Sequence, residues 1–116
     1  MTFLHKVLAE GGWAKLSLSE QMANIGSEVS RARKWQKKDQ KLFQGAVDRA
    51  LELFDLTLAD PRWTGRFREI ARARSVFVDA VYGGEEFGST LADLDKYFYP
   101  FAYAARLHAR WFLFFG

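Results

Sequence analysis

The chain contains no cysteine. Disulfides, thiolate zinc sites and cysteine nucleophiles are thereby excluded together, stability must come from packing, and the composition agrees with a reducing cytoplasm. Histidine occurs only as His5 and His108, too far apart for a local metal motif. No His-x-x-x-His or Glu-x-x-His is present, so neither a metal site nor a cofactor is expected. No apolar run approaches the ~18 residues needed to cross a bilayer. The N-terminal MTFLHKVLAEGG lacks the charged start and the apolar length of a signal peptide. A soluble, unexported, cytoplasmic protein without a membrane segment is expected. The serines lack a nucleophile-elbow context, and GGEEFGS has neither the spacing nor the lysine of a phosphate loop. No motif specifies a reaction, and a non-enzymatic protein is expected.

Strand-like alternation is also nearly missing. What remains, in 116 residues of which 49% are hydrophobic and 16% aromatic, is a series of helical blocks separated by Gly and Pro. They suit one domain over residues 1–116. A short helix is expected over about residues 3–10, ended by Gly11 and Gly12. Ser17 to Glu20 forms a capping-box pattern that starts a helix running to about residue 37, with Leu18, Met22, Ile25, Val29 and Ala32 inward. Asp39 caps a second helix over about residues 40–58, whose broad stripe includes Leu42, Phe43, Ala46, Val47, Ala50, Leu51, Phe54 and Leu58. Asp60-Pro61 breaks the chain before a third helix at about residues 65–82, burying Phe67, Ile70, Ala71, Phe77, Val78 and Val81. Thr90 to Asp93 starts the fourth, which carries Leu91, Leu94, Phe98, Phe101 and Leu107 and is kinked near Pro100. Short connections make sequential helices antiparallel, so the fold expected is all-α: an up-down four-helix bundle with a short extra N-terminal helix.

The last helix is crowded with rings, from Tyr97, Phe98, Tyr99 and Phe101 to Trp111, Phe112, Phe114 and Phe115. A helix apolar nearly all round must be covered nearly all round. Its apolar end can be covered by the short N-terminal helix or by the same helix of a second copy, and a homodimer or higher homo-oligomer through this helix is the expectation, with a further protein partner open. Tyr99, Tyr103 and Arg106 share a face at helical spacing, next to His108. They suit an interface, in which Tyr and Arg are favoured, or a ligand whose ring is stacked and whose phosphate is clamped. Arg74 falls within the apolar stripe of the third helix, where a guanidinium must be paired, with Asp79, Asp95 or a tyrosine hydroxyl, snorkel to water along its apolar stem, or serve as an anion anchor. Arg31, Lys34, Lys37 and Lys38, with Arg33 and Lys41, crowd around Trp35 although the net charge is only +3. They form a solvated helix end or a nucleic-acid contact.

The block SEVSRARKWQKKDQKLFQGAVDRALELFDLTLADPR, followed by a charged helix and LADLDKYFYPFAYAARLHAR, resembles small prokaryotic four-helix proteins of the HEPN-like type. That resemblance implies a dimeric bundle. It also implies either RNase activity or partnership with a minimal nucleotidyltransferase. The RNase branch places an Arg four to six intervening residues before a His. Here that window before His108 holds Phe101, Ala102 and Tyr103, and Arg106 stands two positions ahead of the histidine. The leading expectation is a self-associating bundle that binds a protein or ligand. The alternative is an HEPN-like protein that handles RNA or nucleotides.

Overall fold

The computed structural model describes the backbone of residues 11–115 and the side chains of residues 11–107. The expected helix at residues 3–10, His5, and the side chains of His108, Trp111, Phe112, Phe114 and Phe115 lie outside the described residues. Four α-helices carry the described chain: α1 (Leu18–Trp35), α2 (Gln40–Leu58), α3 (Phe67–Val81) and α4 (Leu91–Phe115). A 3-10 turn at Trp13–Lys15 precedes α1, and another, Pro61–Arg66, leads into α3. No strand occurs among the described residues.

Three of the four α-helices, α1, α2 and α4, start where a side chain satisfies a free amide. Ser17 Oγ accepts from the Glu20 amide while Glu20 Oε1 accepts from the Ser17 amide, both at 3.1 Å, closing the expected capping box. Asp39 Oδ1 accepts from the Leu42 amide at 3.0 Å. Thr90 and Asp93 bond reciprocally at the head of α4. Asp60 caps the turn that Pro61 opens, and this turn delays α3 to Phe67, two residues later than periodicity suggests. α4 continues through Pro100 as one α-helix.

The helices form an antiparallel bundle in chain order. Ser30 and Arg33 of α1 both donate to Asp95 of α4, at 2.6 and 2.9 Å, and Gly26 lies against Phe98, so numbers rise along one helix as they fall along the other. The same reversal holds for Phe54 against Phe77 and Asp55 against Arg74, across α2 and α3. α1 packs most extensively, on α4 and α2, whereas α3 touches α4 little. Phe54 sits at the centre, with ring centroids 5.9 Å from Phe77 and 6.1 Å from Phe98. Around it Met22, Ile25, Val29, Ala46, Val47, Ala50, Leu53 and Ile70 are fully buried. Burying a Phe or Leu side chain stabilises by about 1.5–3 kcal/mol.

Three residues expected on inward stripes face water instead. Leu42, Phe67 and Leu107 are 46%, 51% and 46% exposed. Leu42 and Phe67 stand at the margin of a stripe, where the curve of the helix carries them past the neighbouring helix, and Leu107, nine residues after Phe98, falls on the opposite side of α4. Conversely, Gln21, Glu28 and Thr57 are buried despite their polarity. At one end of the bundle Gln21 Nε2 donates to the Trp13 carbonyl (2.9 Å) and to Asp60 (3.0 Å), while its Oε1 accepts from Trp63 Nε1 (2.9 Å). Trp13 Nε1 donates to Thr57 Oγ1 at 3.1 Å, so every buried polar group named here has a partner.

A candidate binding face on helices α1 and α4

Leu91, Leu94 and Phe98 anchor α4 in the core. At 100° per residue Lys96, Tyr99, Tyr103 and Arg106, spaced three, four and three apart, fall about 90–170° around the helix from this inward row, on one flank and the outer side. All four are exposed, Tyr99 by 61% and Tyr103 by 53%. The face read from Tyr99, Tyr103 and Arg106 is therefore on the surface as one row. The side chain of His108 lies outside the described residues.

Beside this row runs a groove of about 590 Å³ between α1 and α4. Its bed is made by Ala23, Gly26, Ser27 and Ala102, and Tyr99 and Lys96 stand along its edge. The bed depends on close helix approach: a Cβ on Gly26 would come within 2.8 Å of the Phe98 Cβ. Lys96 and the small residues of α1 were not singled out in the sequence. Ala23, Gly26, Ser27 and Ser30 follow a three-or-four rhythm as the inward residues do, but small side chains carry no hydropathy signal to distinguish a bed from a solvated face.

Arg74 stands elsewhere, as a side chain that reaches from its stripe to water, and its partner is Asp55 instead of Asp79, Asp95 or a tyrosine. Its side chain is 35% exposed and its Nε donates to Asp55 Oδ1 at 3.0 Å. The long side chain carries its charge from the stripe's edge to water. The partners expected for it are engaged otherwise: Asp79 accepts from the amides of Glu86 and Phe87, and Asp95 from Ser30 and Arg33. Arg74 lines a shallow, open depression with Ser75, Val78, Asp79, Tyr82 and Glu86, on the outside of the bundle.

The basic cluster is divided by its pairings. Arg31 and Arg49 both bind the buried Glu28, Arg33 binds Asp95, and Lys34 lies 4.9 Å from the centroid of the Trp35 ring. Lys37, Lys38 and Lys41 are exposed and have no ion pair among the described residues. They flank the turn between α1 and α2, where cations also suit the negative end of α1.

A second, smaller cleft of about 260 Å³ opens between α3 and α4 over Ala73, Val76 and Leu94. Tyr97 closes one side of it, its hydroxyl donating to Glu69 at 3.1 Å. Burial, and then the Glu69 charge, push the Tyr97 phenol up to about 12, so it stays protonated as a donor. Arg72 lies over the Phe87 ring at 5.5 Å, holding the loop after α3. Among the described residues no three of His, Asp and Glu converge where they could hold a metal ion, and none of the described helices is long and apolar enough to cross a membrane.

No family model matches this chain, and neither a curated protein nor a solved structure does.

Proposed function

We propose that the chain is a non-enzymatic binding protein that self-associates through the distal part of α4 and presents the α1/α4 face to a partner. The observation that carries this reading is the row of exposed large side chains, Tyr99, Tyr103 and Leu107, on one helix. Gly26 of α1 is level with Phe98 of α4. By rise per residue, α4 therefore passes the start of α1 near residue 106 and runs on for about 13 Å. That stretch of backbone carries Trp111, Phe112, Phe114 and Phe115, and an isologous contact with a second copy is an economical cover for it.

Light scattering at matched concentrations tests the self-association. The intact chain is expected at twice its 13.4 kDa mass, and a chain ending before Trp111, or the variant Leu107→Lys, at the single mass. An intact chain that stays monomeric at about 100 µM, a concentration well above what a specific dimer needs, overturns the reading.

A second reading is favoured by Lys37, Lys38 and Lys41, exposed without acidic partners among the described residues. Under it the protein is an HEPN-like RNA-binding or nucleotide-handling bundle, and the turn between α1 and α2 is its phosphate contact.

A further inference from the structure

We infer that the groove between α1 and α4 is a docking site for an acidic, amphipathic helix of another protein. The inference rests on reading the α1/α4 face as the working surface. It names the chemistry of what binds there.

The bed of the groove spends its own polarity internally. Asn24 Nδ2 donates to the Glu20 carbonyl at 2.8 Å, and Ser27 Oγ to the Ala23 carbonyl at 3.2 Å. Ser30 donates to Asp95. With these groups satisfied, the bed offers a visitor small side chains and no hydrogen bond that must be replaced. Its length, from Ser30 to Ala23 along α1, is about 10 Å, or two helical turns. A channel bedded with small residues and edged by Tyr99 and Lys96 is shaped for the apolar ridge of a helix.

The charges decide which helix. Arg31, Asp95 and Lys96 are the charged residues that line the groove; Arg31 is paired with Glu28, and Asp95, the lining's carboxylate, with Arg33 and Ser30. Lys96 and Arg106 form no hydrogen bond or ion pair among the described residues, although the Lys96 charge is felt by Asp93. Lys96 on the groove's lining and Arg106, about 15 Å further along α4 and past the end of the bed, are thus the two cations in hand, while the lining's acid, Asp95, is already engaged. A second copy would set like charges against each other, which disfavours this face for self-pairing. Two cations so far apart also do not track a phosphate backbone, which calls for a closer row. They match carboxylates about three turns apart on a visiting helix.

The probe is a pair of fluorescein-labelled amphipathic peptides of about 20 residues, long enough to be helical, with Leu and Ala on one face and either Glu or Lys along its margins. Anisotropy is read with the full-length protein. The Glu peptide is expected to bind at least about tenfold more tightly than the Lys peptide, with the order reversed by Lys96→Glu combined with Arg106→Glu. Ser27→Trp, which fills the bed from an exposed position, should cost about tenfold or more, whereas Lys37→Glu combined with Lys38→Glu should change little; circular dichroism checks that each variant is folded. The inference is overturned by equal or absent binding of the two peptides, by loss on changing Lys37 and Lys38 instead of the groove, by a dimer that Ser27→Trp dissociates, or by RNA that competes for the groove. Peptide binding that persists while the intact chain is monomeric separates this site from self-association through distal α4.

Discussion

Asp60 accepts from the side chain of Arg62, from Gln21 and from the Arg62 amide. These donors, Arg62 foremost, hold its carboxyl down at about 2, against the ordinary 3.8. Because the folded protein holds this proton less tightly than the unfolded chain does, the stabilisation is complete above 3.8 and is lost as pH falls toward 2. Urea denaturation at several pH values should show Asp60→Asn less stable than the parent by about 1–3 kcal/mol at neutral pH, with the gap closing at low pH. Parallel curves would mean that the charge contributes nothing. Little of this cluster was legible in the sequence. Asp60 was readable as a cap because its partner stands two residues on. Gln21 looked like any polar residue of a helix, since Trp13, Asp60 and Trp63 reach it only after folding. Arg74 was likewise conspicuous, yet its partner Asp55 lies on a different helix.

Helix boundaries were the legible part, because caps act over three or four residues. Ser17 with Glu20, Asp39 and Thr90 with Asp93 all work where they were read. The stripe of each helix was readable at its centre and not at its margin, which only the neighbouring helix defines, as Leu42 and Phe67 demonstrate. Two glycines inside helices separate propensity from packing. Gly45→Ala in α2 meets only the far end of the Arg49 side chain, at an ordinary contact distance of 3.4 Å, and should stabilise by about 0.5–1 kcal/mol. Gly26→Ala gains the same propensity but must push α1 from Phe98, and overpacking costs about 1–3 kcal/mol. Thermal denaturation should therefore move in opposite directions for the two variants. A rise for both would show that α1 and α4 are not held at this distance.

Taken whole, the molecule is mildly basic, with net charge +3 and an isoelectric point near 9.3. That average conceals how its cations are used, for most of the arginines are bound to carboxylates of the same chain while Lys37, Lys38 and Lys41 have no acidic partner among the described residues. If single-stranded RNA binds there, four lysine contacts including Lys34 predict a slope of log affinity on log salt of about −3. Lys37→Glu with Lys38→Glu should flatten it, and no affinity at about 50 mM salt would remove the RNA reading. The arrangement of helices also sets an order in time. The most extensive contact joins α1 to α4, the first described α-helix to leave the ribosome and the last. Met22, Ile25 and Val29 gain the α4 side of their surroundings only once Phe98 has been made, so α1 must wait with part of its apolar face uncovered while α2 and α3 are synthesised. The bundle closes only after α4 is made, and a nascent chain that stalls before α4 exposes the surface that invites aggregation.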